Sequence, residues 1–185
     1  MLDNSYFINP INQRGITGTA GKGVYTIDRW ILDSENGNGY FDVQSNCIGL
    51  NINSDSWITL SQKRNDLDRN KTYTIAFEDG NGNIYINENC DILWQEDGIA
   101  AVRIILESGN KTYKWAALYE GAYTADTLPE YLYKGYAAEL AECRRYYYKL
   151  KSWGQVGAGA VDYLGASANI VVPIGTTTIT IKKVY

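Results

Sequence analysis

The stretch from Tyr119 to Leu150, YEGAYTADTLPEYLYKGYAAELAECRRYYYKL, constrains the fold most, because it leaves a strand-like pattern and enters a helix-like one. Thr127-Leu-Pro-Glu130 has the form of a capping box. The Thr127 hydroxyl would accept from the Glu130 N–H, the Glu130 carboxylate would reach back, and Pro129 would occupy the first turn, where its missing donor costs nothing. Leu132, Tyr136, Leu140, Cys143, Tyr147 and Leu150 follow at spacings of four and three, with Lys134, Glu139, Glu142 and Arg145 largely off that stripe. The spacing predicts one long amphipathic helix over Pro129–Leu150, roughly six turns, packed through the stripe. Tyr146, Tyr147 and Tyr148 cannot all face inward, so at least one ring is expected at the stripe's edge.

Upstream, from Gly23 to Arg103, short apolar runs alternate with clusters of Asn, Asp, Ser and Gly, and helical spacing is absent. The pattern predicts strands at Val24–Leu32, Tyr40–Ile52, Trp57–Gln62, Thr72–Glu78, Asn83–Asn87, Ile99–Leu106 and Tyr113–Tyr119. Turns are expected at Glu35–Gly39, Asp79–Gly82 and Ser108–Asn110, the last two as hairpins. Thr72–Phe77 alternates polar and apolar residues, as a sheet with one buried face requires. After Ser152 comes a Gly/Ala-rich connection, then Ala168–Pro173 and Thr177–Tyr185, rich in Ile, Val and Thr, which read as a terminal hairpin. The expected organisation is a mostly β chain: residues 1–152 form an antiparallel jelly-roll β-sandwich with its helix at 129–150, and residues 153–185 form a connection and hairpin of the same domain.

Composition bounds the chemistry. The 185 residues suffice for one domain with a full core, and sixteen tyrosines with five tryptophans suit both a core and a wet binding face. A net charge of −4 argues against nucleic acid as a partner, which needs a basic surface. No histidine occurs, which removes Ser-His-Asp, Cys-His and His-ligated zinc schemes. Cys47, Cys90 and Cys143 are isolated and odd in number, and read as buried thiols. No run of about 18 apolar residues suggests membrane insertion, and synthesis in the cytoplasm is expected.

Three islands carry a resemblance. Phe7-Ile-Asn-Pro-Ile-Asn-Gln-Arg-Gly15 with Tyr25-Thr-Ile-Asp-Arg-Trp30, then Leu118-Tyr-Glu-Gly121, then Ala138-Glu-Leu-Ala-Glu-Cys143 with Arg145-Tyr-Tyr147, together resemble a domain of phage and prophage tail proteins. The resemblance spans about residues 5 to 150. It implies a tail fibre, baseplate or receptor-binding component located in the virion tail, assembled with other tail proteins, commonly as a homotrimer, and without catalytic residues. The middle segment, Trp57–Arg64 with Lys71–Phe77, is similar to jelly-roll carbohydrate-binding modules of the galactose-binding-like type, so host surface glycans are the expected ligands. A module of a bacterial polysaccharide-degrading system is the alternative.

Sugar recognition needs flat aromatic faces beside amides and carboxylates. Trp57 beside Asp55, and Trp94 beside Gln95 and Glu96, are the candidate platforms. Trp30 and Trp115 lie within strand patterns and read as core. Asp28 and Arg29 read as structural ion-pairing or capping groups. Glu88, Asp91, Glu96 and Asp97, with Asn81, Asn83, Asn87 and Asn89, are the residues that would hold calcium. Cys90, however, stands where a distal bidentate glutamate would be needed, so a solvated loop is expected there, with no metal and no cofactor. Glycoside cleavage would need two paired carboxylates, and nothing pairs any two.

Overall fold

The computed structural model describes residues 2–13, 15, 18–20, 23–34, 39–52, 58–96, 98–146, 171–174 and 177–180. The described residues are mostly β, with two packed antiparallel sheets, a further two-stranded hairpin and one helix. The six-stranded sheet runs β1 (Gly18–Ala20), β4 (Gly39–Val43), β5 (Ile48–Ile52), β11 (Gly109–Glu120), β7 (Tyr73–Asp79), β8 (Ile84–Ile86). The five-stranded sheet runs β2 (Val24–Tyr25), β3 (Ile31–Ser34), β6 (Ile58–Arg64), β10 (Ala100–Leu106), β9 (Cys90–Trp94). The chain crosses between these sheets at β1 to β2, β3 to β4, β5 to β6, β6 to β7, β8 to β9 and β10 to β11, the interleaved order of a jelly roll.

Alternation explains the core. Ile75 and Phe77 of β7, and Val102, Ile104 and Leu106 of β10, point between the sheets, where they meet Phe41, Ile48, Leu60, Trp30 and Phe7. Burying about 20 such side chains, at roughly 1.5–3 kcal/mol each, is what offsets the entropy of ordering so many short strands. Val172, on β12 (Val171–Ile174), pairs with Ile179 on β13 (Thr177–Thr180), giving the expected terminal hairpin over a shorter span.

Several boundaries differ from expectation. Val24–Leu32 is not one strand: the chain reverses between β2 and β3, with Arg29 at φ 74°. Tyr40–Ile52 is likewise a β4–β5 hairpin, closed by Gln44 N–H donating to Cys47 O at 2.9 Å. Asp79–Gly82 does form a hairpin, but Ser108–Asn110 does not. It carries the chain from β10 in one sheet to β11 in the other, with Gly109 at φ 108°, so a turn-forming sequence here serves a crossover. Strand β9 falls in the acidic stretch taken for a loop; its Asp91 is held by a two-pronged ion pair from Arg103 on β10.

The helix is shorter than its sequence pattern. α1 spans Tyr136–Arg144, and the capping box does not form: Thr127 Oγ1 accepts from Thr124 N instead, at 2.9 Å. Residues 121–135 run without regular structure as a strap over the outer face of the six-stranded sheet. There Leu128 and Tyr131 cover Ala76, Trp115 and Ala117. Trp115 stacks on Tyr131 at 4.8 Å between ring centroids, and Tyr6 on Tyr133 at 4.0 Å. Packing against that face overrides the local helix signal. Gly135, at φ 91°, then turns the strap into the helix. The expected stripe changes with it: Leu132 is 67% and Tyr136 48% exposed and Glu139, expected off the stripe, is buried, while Cys143 faces inward as expected. Tyr147 and Leu150 lie outside the described residues.

Candidate functional site

Two places gather polar side chains, and they are built in opposite ways. The first is a clasp that ties the N-terminal arm to the β2–β3 turn and to α1. Asn4, buried, donates through Nδ2 to Ile11 O at 2.8 Å and Asp28 O at 2.7 Å, and its Oδ1 accepts from Ile11 N at 2.6 Å. Its backbone N–H donates to the Glu139 carboxylate. Trp30 Nε1 donates to Asn4 O at 2.9 Å, and Gln13 Nε2 donates to Asp28 Oδ2 at 2.6 Å. Arg29 pairs with Asp3 at 3.0 Å, donates to Lys63 O and lies 3.4 Å above the Tyr146 ring. Its positive φ is what aims the guanidinium across the turn at three partners at once.

Residues of the first and last of the resembling islands therefore converge around Asn4, although they are more than a hundred positions apart in sequence. Asp28 and Arg29 act structurally, as expected, although Arg29 takes Asp3 rather than its neighbour. Burial raises the pKa of Glu139, and contacts with Asn4 N–H and Lys134 only partly oppose it; its Oε1 is buried with no hydrogen-bond partner among the described residues. Burial also pushes the Cys143 thiol up, and that of Cys90 to about 12, so both stay protonated and unreactive. A hollow of about 450 Å³ beside the clasp is lined by charges that cancel in pairs: Arg64 with Asp66, and Lys134 with Glu142 at 2.6 Å.

Of the expected sugar platforms, Trp57 and Asp55 lie outside the described residues. Ile58, the next described residue, pairs with Leu106 at one end of the five-stranded sheet, whereas Trp94 pairs with Ala100 at the other. Trp94 is half-buried on edge strand β9, with the Arg69 guanidinium 5.4 Å from its ring centre. Gln95 is tied through its backbone to Ile99 and Arg69, and Glu96 is exposed. Trp30 is fully buried, as expected. Trp115 is buried too, but under the strap rather than between the sheets, with its Nε1 donating to Glu78 Oε2 at 2.5 Å. For the calcium reading, no group of three or more His, Cys, Asp or Glu side chains that could hold a metal ion occurs among the described residues, and Asp97 is outside them.

The second place is a cleft of about 490 Å³ at the end of the sandwich where the β7–β8 turn meets the β10–β11 crossover. Its floor is aromatic: Phe77 stacks on Tyr85 at 5.1 Å and meets Tyr113 edge-on at 5.6 Å. Its rim is amide-rich, with Asn81, Asn83, Asn89 and Asn110. Asp79 organises the turn by accepting from Asn81 N, Asn83 N and Asn83 Nδ2 at 2.8–2.9 Å. Burial alone would raise its pKa, but these bonds outweigh that and hold it below the ordinary carboxylate value. Burial raises both tyrosine pKa values, so the phenols stay neutral donors. Gly80 admits the close approach that shapes the rim, since a Cβ there would sit 2.0 Å from Thr112 Oγ1. From sequence, Asp79–Gly82 and Ser108–Asn110 read as turns, and Asn81, Asn83 and Asn89 as groups that would hold calcium. The available signal was the inward period-two placement of Phe77, Tyr85 and Tyr113 beside two Asn-rich turns.

Comparison with protein-family models, with curated proteins and with solved structures finds no match to this chain.

Proposed function

We propose that this chain is a non-enzymatic tail-associated protein of a phage or prophage, a structural or receptor-binding component whose sandwich is turned to host surface glycans. The observation that supports this best is the convergence of the first and last resembling islands in one clasp: Ile11, Asp28, Trp30 and Glu139 are held by one connected set of hydrogen bonds through Asn4. A signature that closes on itself in this way is what a structural module needs, and its groups are spent on each other rather than held ready for a substrate. The exposed apolar residues of strap and helix, Leu132, Tyr133, Tyr136 and Tyr146, supply a surface for neighbouring copies or other tail proteins, and a trimer is the assembly the resemblance implies.

The jelly-roll order would equally serve the other reading, a carbohydrate-binding module of a polysaccharide-degrading system. Induction of the prophage, purification of particles and mass spectrometry of their tails separates the two. The protein is expected in particles at a stoichiometry that is a multiple of three per tail. Its absence from particles, with co-purification alongside a glycoside hydrolase, would overturn the tail reading.

A further inference from the structure

We infer that the cleft between the β7–β8 turn and the β10–β11 crossover is a binding site for an uncharged saccharide, read by the side-chain amides of Asn81, Asn89 and Asn110 over the Tyr85 and Tyr113 rings. The identification of a glycan as the natural ligand rests on the tail-protein reading; the chemistry of the cleft stands on its own geometry. The volume, about 490 Å³, falls within the range of roughly 300–1,000 Å³ usual for small-ligand sites.

The charges of the cleft are already used. Asp79 spends its oxygens on the turn, with a further weak contact from Tyr85 at 3.4 Å, and Glu107 faces Lys111 at 3.7 Å across the rim. An anionic ligand would find one partly neutralised lysine beside two carboxylates, and a metal ion would have to break the turn to reach Asp79. What remains is a set of neutral groups. The side chains of Asn81, Asn89 and Asn110 make no hydrogen bond among the described residues, and the Tyr113 hydroxyl likewise has no partner there. Each amide offers two donors and an acceptor, which matches hydroxyls that both donate and accept. Two of the three are fixed for the purpose: Asn89 sits at φ 48° and its backbone carbonyl accepts from Ile105 N–H at 2.7 Å, while Asn110 is registered opposite Asn51 in the β5–β11 ladder. Half-buried Tyr85 has one ring face against Phe77 and turns the rest of its surface into the cleft, as the C–H face of a pyranose requires.

The test is calorimetric titration of the full chain with a panel of neutral hexose and N-acetylhexosamine oligosaccharides, and with a second panel bearing uronic or sialic acid, each with and without EDTA. At least one neutral oligosaccharide should bind, indifferent to EDTA. Asn89→Ala and Asn110→Ala should each weaken it about three- to tenfold with unchanged melting, the loss expected for one hydrogen bond. Tyr85→Phe, which keeps the ring, should bind nearly as the parent chain does, and Tyr85→Ala should not bind. Trp94→Ala should leave binding unchanged. Binding confined to acidic sugars, or abolished by EDTA or by Trp94→Ala but not by the asparagine variants, overturns the cleft assignment and leaves the glycan-binding tail reading intact. If no sugar of either panel binds, both the assignment and the glycan half of that reading fail, while detection of the chain in purified tails still decides its structural half.

Discussion

The clasp and the cleft use the same residue types to opposite ends. Both are rich in asparagine, acid and aromatic side chains. In the clasp, Asn4 is buried and makes every bond its amide can reach, to Ile11 twice and to Asp28, while Trp30 donates its indole N–H to Asn4. In the cleft, Asn81, Asn89 and Asn110 are exposed and uncommitted over a stacked aromatic floor. A polar group buried without a partner costs about 1–3 kcal/mol, so the clasp had to be completed within the chain, whereas the rim can leave its partners to water or to a ligand. Residue type therefore does not distinguish structure from function here; hydrogen-bond commitment does.

The comparison breaks most easily at Trp30. It is fully buried, meets Phe7 edge-on at 5.2 Å and donates to Asn4 O, so Trp30→Ala removes core volume and a clasp bond together. A loss of about 3–5 kcal/mol is expected, read as a large fall in the urea midpoint. A loss below 1 kcal/mol would mean that the clasp does not hold the fold. Gly80→Ala probes the other side with a smaller effect. The added Cβ would meet Thr112 Oγ1, and the turn must shift or Thr112 rotate, at about 1–3 kcal/mol. The same change should distort the rim, so Thr112→Ser/Gly80→Ala, which leaves the hydroxyl in place, should rescue less than Thr112→Ala/Gly80→Ala, which removes it. Equal melting of both double variants would show that the close approach does not shape the cleft.

These contrasts also explain what could be read from the sequence. From Ile58 to Tyr119 the short apolar runs between polar and glycine-containing clusters place β6, β7, β8, β10 and β11 nearly as found, although β6 and β7 are buried on both faces over Ile58–Gln62 and Thr74–Phe77. The reversals at Asp28-Arg29 and Gln44–Cys47 escaped notice because they contain no Gly or Pro. Arg29 takes its left-handed conformation on the strength of contacts with Asp3, Lys63 and Tyr146, none of them near in sequence. The capping box failed for a similar reason, since the outer face of β7 and β11 outbid the helix for residues 128–133. The clasp was partly legible as a set of resembling islands, with Asp28 and Arg29 assigned to structure. The cleft was not, because its asparagines look like any turn until Tyr85 and Tyr113 are seen beneath them.

The smallest expected effect is a titration, and it asks whether the clasp is as complete as it looks. Glu139 has one oxygen, Oε1, that is buried with no hydrogen-bond partner among the described residues; the other accepts from Asn4 N–H. Burial raises its pKa above the ordinary value of 4.5, with Glu142 and Asp3 adding to the shift and Lys134 and the Asn4 bond opposing it. For an acid whose folded pKa is raised, the folded state binds the proton more tightly than the unfolded chain does. The stability it contributes is fully present below pH of about 4.5 and is lost as pH rises through the folded value, with a slope of at most about 1.4 kcal/mol per pH unit. Glu139→Gln keeps an oxygen for Asn4 N–H, puts donors where the unpartnered oxygen stood and does not titrate. The melting temperature of Glu139→Gln minus that of the parent chain should therefore increase as pH is raised from 4 toward neutrality and then level off. A gap that stays flat across that range would show that water or a shifted side chain satisfies Oε1, and that the clasp is closed more fully than its hydrogen bonds indicate.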